Sequence, residues 1–238
     1  MFSKADTHIH TTYSDGLMSP EETIAYVAAH TDMRVIAITD HDTAEGSFAA
    51  RAYAQRHAPQ LEVIIGQEVS TGDGEVVGLF LKTSLPKFET AAEAIAAIHA
   101  QGGLAVAVHP FCGWHTFNNM AGVGTKIFHL PLDAVEIRNG VPLNIPVNLL
   151  TAWLNRAKGQ NLPALGGSDS HVPFTVGEPF TWFAGATAAD FRRAVKSGQV
   201  RPAGLGWTPL SVARLLPVLL RRGFPHNRPS EVESGVRS

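Results

Sequence analysis

The sequence predicts an α/β fold with a mainly parallel β-sheet, either open or closed into a barrel. Short apolar segments rich in β-branched residues recur along the chain, and helix-start signals fall between several of them. The chain has 238 residues, enough for one large α/β domain or two small ones with an extensive core. Apolar residues make up 45% and charged residues 17%, which is ordinary for a soluble globular domain of enzyme size.

The predicted strands are a first one that closes at His8 and His10, followed by seven apolar runs. These runs cover residues 35–39, 61–66, 75–81, 104–108, 133–137, 162–167 and 180–185. Helical patterns separate several of them at the spacing of strand–helix–strand units. This alternation favours parallel neighbours in the sheet.

Four helices can be predicted from their start signals or from their apolar faces. Ser19 with Glu22 and Thr90 with Glu93 have the spacing of capping boxes, in which two side chains satisfy the first backbone N–H groups of a helix. Two further helices, each with one apolar face, are predicted at residues 144–159 and 187–198.

The chain divides into one catalytic region and a short C-terminal extension. Residues 1–206 carry the strand–helix alternation, and residues 207–224 form an apolar, arginine-containing segment that we expect to be a helix packed on the outside of the barrel. A dimer contact or a membrane-surface patch is the alternative for this segment. Residues 225–238 have the composition of a disordered tail.

Composition and charge exclude several classes of protein. The net charge is −2 with dispersed lysines and arginines, so we expect no nucleic-acid polymer as a partner. Cys112 is the only cysteine, which excludes an intramolecular disulfide framework and a thiolate zinc cluster. Neither a signal segment nor an apolar run long enough for a bilayer is present, so we expect a cytoplasmic location and no membrane partner. The oligomeric state is left open.

Side chains of the metal-binding type follow the predicted strands. They are His8, His10, Asp40, His41, Asp42, Glu68, His109, Asp169 and His171. The carboxyl ends of parallel strands meet at one face of a sheet or barrel, which is where active sites assemble. Because residues i and i+2 of a strand point the same way, the pairs His8/His10 and Asp169/His171 can both turn inward.

This joint pattern predicts a polynuclear metal site, although each motif alone is weak. Buried imidazoles and carboxylates are costly unless they are paired or bind a metal. Mixed histidine and carboxylate ligation suits zinc, manganese or iron better than calcium or magnesium alone. The candidates are too many for one ion, so we predict two or three divalent metal ions.

The sequence resembles the PHP (polymerase and histidinol phosphatase) family of metal-dependent phosphoesterases. The resemblance covers residues 5 to about 185 in the family's order. Its motifs are H-x-H at His8 and His10 followed by Asp15, "TDHD" at 39–42, "GQE" ending in Glu68, "HP" at His109, and "GSDSH" at 167–171. It implies a single-domain, distorted (β/α)7 TIM-like barrel with a trinuclear metal site at the carboxyl ends of the strands.

The resemblance also implies the ligands. They are His8, His10, Asp15, His41, Glu68, His109, Asp169 and His171. Glu68 would bridge two ions. Related members usually place a histidine in the next strand, where this chain has Glu75 in "EVVG". Either Glu75 replaces that histidine as a ligand or the third ion is weak or absent. The alternative for Glu75 is a solvent-exposed position at a strand start.

These residues predict a metal-dependent phosphoric monoester hydrolase, that is, a phosphatase. Its substrate would be a small phosphate monoester of the nucleotide, nucleoside bisphosphate or histidinol phosphate type, attacked by a metal-bound hydroxide. We expect Asp15 or Asp40 to orient the attacking water, with His41 and Glu68 as further catalytic residues.

Two residues outside the ligand set are candidates for substrate binding. Arg138 follows a predicted strand and offers the bidentate geometry that phosphate prefers. His115 lies in a long loop between His109 and Asp133, and loops of this length over a catalytic face often bind substrate.

Two other functions use similar residues. Amidohydrolase-type metallohydrolases also carry H-x-H on a barrel strand, but they normally add a metal-bridging lysine that we do not find in this sequence. A non-catalytic metal-binding or regulatory domain, as the resembling domain can be in polymerase subunits, is the other alternative. No polymerase region is attached here, and nearly every ligand is present.

Overall fold

The computed structural model describes residues 1–114, 120–157 and 161–222. The strands are β1 (Phe2–Asp6), β2 (Met33–Ile38), β3 (Glu62–Thr71), β4 (Gly74–Leu79), β5 (Leu104–Ala107), β6 (Gly113–Trp114), β7 (Met120–Ala121), β8 (Ala134–Asn139), β9 (Ala164–Gly167), β10 (Phe180–Ala184) and β11 (Val200–Ala203). The helices are α1 (Pro20–His30), α2 (Glu45–His57), α3 (Ala91–Ala100), α4 (Ile145–Ala157), α5 (Ala188–Lys196) and α6 (Pro209–Arg222). Short 3-10 turns lie at Gly124–Phe128, Pro142–Asn144 and Pro173–Thr175.

Nine strands form one sheet that curls almost into a closed barrel. Their order is β11-β10-β1-β2-β3-β4-β5-β8-β9, while β6 and β7 form a separate hairpin. At the seam, the backbone N–H of Gly166 in β9 donates to Oγ1 of Thr181 in β10 at 2.8 Å. The described residues therefore make a single α/β domain with a barrel-like sheet, which confirms the predicted fold class.

The sheet is less parallel than the sequence predicts. Strand β4 is antiparallel to both β3 and β5, and β10 is antiparallel to both β1 and β11. Only residues 72–73 separate β3 from β4, a connection that permits a hairpin but is far too short for a parallel crossover. This hairpin brings the start of β4, and with it Glu75, to the carboxyl end of β3.

The predicted helix starts are confirmed. Ser19 and Thr90 cap α1 and α3 through complete capping boxes, and Thr187 caps α5 in the same way. Helix α2 has no side-chain cap, which explains why its start gave no signal in the sequence. None of the helices within the described ranges is long and apolar enough to cross a membrane.

Alternate residues of the strands pack on opposite sides of the sheet. In β2, Val35 belongs to a buried cluster with Ile64 of β3, Val106 of β5 and Phe191 of α5. Its neighbour Ile36 packs instead in a cluster with residues of α1 and α2. This period of two places Val35 and Ile36 in different core clusters on opposite sides of the sheet.

The C-terminal segment begins with a fixed anchor. Nε1 of Trp207 donates to the carbonyl of Ser168 at 2.9 Å, and its backbone N–H donates to Gly140 at 2.8 Å. In the α6 helix that follows, Ser211 is buried, whereas Leu210 and several other apolar residues are exposed. Packing of segment 207–224 on the barrel therefore stays a prediction for its apolar face, and the predicted tail 225–238 lies outside the described residues.

Candidate metal centre

The structure brings together all nine side chains predicted as ligands, Glu75 included. They fall into four overlapping groups, in each of which one potential ligand atom per residue lies within 4.8 Å of the others. The groups are His8, His10 and Glu68; His8, His109 and Asp169; His10, Asp15 and His171; and His41, Glu68 and Glu75. Shared members make these groups one continuous cluster.

Glu68 lies at the centre of this cluster. Its Oε2 is 3.2 Å from Nε2 of His8 and 3.2 Å from Nε2 of His10, while its Oε1 is 3.1 Å from Nε2 of His109. Glu68 lies in the second half of β3, and an isolated parallel β-bridge pairs Glu68 with His41. Because its two oxygens meet different histidines, the carboxylate has the placement of a ligand shared between ions.

A buried carboxylate fixes the chain where β1 runs into the cluster. Asp6 accepts hydrogen bonds from the backbone N–H groups of His8 (3.3 Å), Ser168 (3.0 Å) and Gly177 (2.7 Å). The N–H of His10 then donates to the carbonyl of Ser170 at 2.8 Å. Asp6 thus holds the H-x-H segment against the "GSDSH" segment.

Glu75 is buried in the cluster. It is 4% exposed, and its Oε1 lies 3.4 Å from Nδ1 of His41. Its Oε2 has no hydrogen bond and lies 3.9 Å from Nε2 of His109. Burial, together with the neighbouring carboxylates of Glu68 and Asp169, raises the pKa of Glu75 well above its usual value. The alternative of a solvent-exposed position is therefore wrong.

The more accessible edge of the cluster is formed by Asp15, His41 and His171. Oδ2 of Asp15 lies 3.1 Å from Nε2 of His171 and 3.7 Å from Nε2 of His41. The other oxygen of Asp15 lies 3.4 Å from Nδ1 of His10. Although burial opposes it, the positive charge of His171 and the other histidines lowers the pKa of Asp15 well below its usual range.

Asp40 has a different position from the one predicted for a catalytic residue. Its Oδ1 accepts hydrogen bonds from the Thr11 N–H (2.6 Å) and the Ser14 hydroxyl (2.7 Å), and its Oδ2 accepts from the Thr11 hydroxyl (2.7 Å). A Cβ on Gly46 would come within 2.1 Å of the same carboxylate. Asp40 therefore positions the loop that carries Asp15, and nothing in its contacts supports the predicted role in orienting water.

Sequence reasoning missed Glu136 and Asn139 of β8. Oε1 of Glu136 lies 3.1 Å from Nδ1 of His8, and its Oε2 accepts from the His109 N–H at 2.9 Å. Asn139 donates to Oε2 of Glu136 at 2.9 Å and to Oδ2 of Asp169 at 3.1 Å. Partners of this kind fix the orientation of ligating histidines and carboxylates. The available signal was an acidic residue between Val135 and Ile137, in the middle of the strand.

Two of the predicted ligands have a strained backbone. His109 has φ of 29° and Asp169 has φ of 51°, both in the left-handed region that side chains other than glycine rarely adopt. Such conformations cost about 1–3 kcal/mol and persist where the surroundings dictate them, often at functional sites. Here they turn the side chains sharply at the ends of β5 and β9.

The two predicted substrate-binding residues are not part of the described cluster. The Arg138 guanidinium donates to the carbonyl of Gly204, on the outer side of β8. Arg138 also lines a separate cavity with Arg156 and Arg201. His115 lies outside the described residues, so its role stays a prediction.

The cluster contains buried nitrogen and oxygen atoms that have no hydrogen-bond partner and that are of the types that coordinate metal ions. Buried atoms without a hydrogen bond are Nδ1 and Nε2 of His10, Nδ1 of His41, Oε2 of Glu75 and Nδ1 of His109. A buried polar atom without a partner costs about 1–3 kcal/mol. Imidazole nitrogens and carboxylate oxygens at these separations are ligands of zinc, manganese and iron. The residues present therefore fit metal ions.

The ionisable groups of the cluster perturb one another strongly. Burial alone would lower the pKa of His8 and His10, but the carboxylates around them raise both well above the usual value. Conversely, the histidines lower the pKa of Glu68 and Asp169 well below the usual range, although burial opposes this. Without metal, the fold therefore stabilises protonated histidines beside ionised carboxylates.

This charge pattern predicts how stability depends on pH. Since the pKa of His8 and His10 is raised on folding, their contribution to metal-free stability is full below pH 6.5 and is lost as the pH rises through the higher folded-state values. Metal ions must displace these protons, so they bind better as the pH rises. As the pH rises above 6.5, the melting temperature with chelator should fall, while the increase in melting temperature on adding Mn²⁺ should grow. A metal-induced increase that shrinks with pH would contradict this.

A second prediction concerns Glu75. The change Glu75→Ala removes a carboxylate that faces His41 and His109 and leaves an apolar gap at the start of β4. We expect elemental analysis to find about one ion fewer per chain, because one ligand set loses an anionic oxygen. Glu89→Ala, which changes the charge equally in the connection before α3, is the control. An unchanged ion count in Glu75→Ala would remove Glu75 from the ligand set.

Histidine and carboxylate side chains converge at the strand ends of a barrel-like sheet. This combination defines a metal-dependent hydrolase fold. A family model described as "PHP domain" matches residues 6–112, and one described as "PHP-associated" matches residues 154–200. An uncharacterized protein of Methanocaldococcus jannaschii is 37% identical over 161 residues, which cover 61% of this chain and 90% of that protein. The chain belongs to the PHP domain family.

Two further comparisons concern fold and relatives. A solved two-domain protein from Bacteroides vulgatus, described as containing a predicted PHP-like metal-dependent phosphoesterase, has a TM-score of 0.64 at 20% identity and covers 86% of this chain and 65% of that chain. The 5'-3' exoribonuclease Rnm of Salmonella typhimurium is 46% identical over 66 residues, which cover 28% of this chain and 22% of that enzyme. The first supports the fold, and the second shares a segment of sequence.

The expectation that excluded nucleic-acid polymers in favour of a small phosphorylated partner is wrong. It relied on the net charge of −2 and the dispersed basic residues, yet a relative of this chain is named as an exoribonuclease. The physical reason is that metal ions at such a site supply the positive charge that meets a phosphate. A net charge of −2 therefore does not exclude a nucleic-acid partner.

Proposed function

We propose that this protein is a metal-dependent phosphoesterase that hydrolyses phosphodiester bonds of a nucleic-acid strand. The observation that carries the proposal is the single continuous cluster of nine histidine and carboxylate side chains, with Glu68 at its centre. The site would hold two or three divalent ions. When bound, such ions neutralise charge on phosphoryl oxygens and lower the pKa of a coordinated water.

The residues of the cluster have different roles in this proposal. Glu68, buried and touching three histidines, holds the ligand groups in a fixed relation. Asp15, His41 and His171 lie at the accessible edge and would be the first side chains to meet a phosphate. Glu136 fixes the orientation of His8, so its role is positioning.

The substrate class is supported by the relative named 5'-3' exoribonuclease. A phosphodiester differs from a small monoester in offering further phosphates and bases on one side of the reacting bond. A binding surface beside the site would therefore add affinity for a strand.

The test is an assay of the metal-loaded protein on a 5'-phosphorylated RNA oligonucleotide, a matching DNA oligonucleotide and p-nitrophenyl phosphate. We expect release of mononucleotides or short fragments, loss of the activity with chelator, and recovery on adding Mn²⁺ or Zn²⁺. Hydrolysis of p-nitrophenyl phosphate alone would overturn the nucleic-acid substrate. Full metal occupancy with no hydrolysis of any phosphate ester would overturn the proposal in favour of a non-catalytic metal-binding domain.

A further inference from the structure

A cavity of about 590 Å³ on the outer surface of the barrel is lined by three arginines. Arg138 comes from β8, Arg156 from the end of α4 and Arg201 from β11. None of the residues that line the cavity is acidic. Three like charges around one cavity repel one another, and an anion bound among them would remove that repulsion.

These arginines have no acidic partner in the described part of the chain. None of the ion pairs found there includes Arg138, Arg156 or Arg201. The Arg138 guanidinium donates a hydrogen bond to the Gly204 carbonyl, which orients it. A guanidinium has five N–H donors, so others can bind a ligand. Planar guanidinium groups match phosphate oxygens with paired hydrogen bonds, so phosphate is the anion that this cavity fits best.

Helix α4 adds an aromatic surface next to the cavity. Trp153 is 58% exposed although it is a large apolar side chain, and it lies one helical turn before Arg156. Leu149 is exposed one turn earlier. An exposed aromatic ring beside cations is the arrangement on which bases of a single strand stack while their phosphates meet the positive charges.

The same helix connects the cavity with the metal centre. Near its start, Asn148 forms two hydrogen bonds with the backbone of Asn139, both 2.9 Å long. Asn139 in turn donates to the ligand Asp169 at 3.1 Å. Asn148 and Arg156 are eight residues apart, so about 12 Å of helix separates them. At the rise of about 3.4 Å per nucleotide of a stacked, helical strand, that distance spans three or four phosphates.

We propose that this surface, formed by Arg138, Arg156, Arg201 and Trp153, is a second site that binds the phosphates and bases of a nucleic-acid strand whose end lies at the metal centre. The proposal deepens the proposed function and rests on it for the identity of the strand. It predicts that affinity depends on strand length, since a strand of three nucleotides reaches only the metal centre.

The test compares binding of phosphorothioate-linked strands of three and twelve nucleotides to the full metal-loaded chain, measured by fluorescence anisotropy at several salt concentrations. In Arg156→Ala/Arg201→Ala, the affinity for the longer strand should fall about ten-fold or more, and its salt slope should fall by about 1.4, or about 0.7 for each lost contact. Affinity for the shorter strand should not change. The matched control is Arg51→Ala/Arg56→Ala, with the same loss of charge on α2, and it should bind both strands as the unaltered protein does.

Equal affinity of the double variant and the unaltered protein for the longer strand would overturn the proposal. So would an equal loss in the control, because that would show a general charge effect. The remaining possibility is that the cavity binds only small anions, and calorimetry with inorganic phosphate tests it. If the arginines bind free phosphate but their substitution does not change the affinity for the longer strand, the cavity is a small-anion site and the proposal fails. If the proposed function alone is wrong, the RNA and DNA oligonucleotides of the activity assay remain uncleaved. The length-dependent binding of the phosphorothioate-linked strands, and its loss in the double variant, are still observed.

Discussion

Asp169→Asn should remove most of the hydrolytic activity, on the order of 10³-fold in kcat/KM, which corresponds to about 4 kcal/mol. Oδ1 of Asp169 lies 3.4 Å from Nε2 of His10 and 3.5 Å from Nε2 of His8, and its Oδ2 accepts from Asn139. An amide in its place loses the negative charge that a ligand set needs. It also has to turn its NH₂ group either toward the histidines or toward the NH₂ group of Asn139.

The control for this variant is Asp32→Asn. Asp32 pairs with Lys4 on the surface with 70% of its side chain exposed, so the substitution changes the same charge at small energetic cost. Cys112→Ala tests the only thiol, which is buried three residues after His109. Steady-state kinetics on the RNA oligonucleotide should show near-normal rates for both. Near-normal turnover by Asp169→Asn combined with an inactive Cys112→Ala would transfer the chemistry from the carboxylate cluster to the thiol.

Part of the predicted ligand set follows from strand geometry, and the full set is what the resemblance to the PHP family implies. His8 and His10 are two residues apart, and so are Asp169 and His171, which places each pair on one side of an extended segment. The same rule explains why Asp40 lies apart from the cluster. It directly precedes His41, so the two side chains point to opposite sides, and Asp40 reaches Thr11 while His41 reaches the cluster.

Other features required the three-dimensional structure. Glu136 lies in a strand without a recognisable motif, and its contact with His8 joins residues 128 positions apart in the chain. The burial of Glu75 depends on β4 being antiparallel to β3, which follows from the short connection at residues 72–73. The exclusion of nucleic acid failed because the net charge of the side chains does not count the positive charge that metal ions would add at the cluster.

Glu68→Gln should have the largest effect on metal content. Its two carboxylate oxygens face three histidine Nε2 atoms within 3.2 Å, and Glu68 belongs to two of the four ligand groups. Glutamine has a similar shape but offers one oxygen and one NH₂ group, which cannot bind a cation. It also lacks the negative charge that offsets the repulsion between neighbouring ions.

We therefore expect protein with Glu68→Gln, purified without chelator, to hold at least one ion fewer per chain by elemental analysis, and to lose most of its stabilisation by added Mn²⁺ in thermal melts. The control is Glu21→Gln in the first turn of α1, where the side chain is exposed and outside the ligand groups. The thermal readout separates ligation from catalysis, because a residue acting only in the reaction would leave metal-induced stabilisation unchanged. Normal ion content and normal stabilisation in Glu68→Gln would show that this carboxylate is not shared between ions, and the cluster would then have to hold its metals as separate sites.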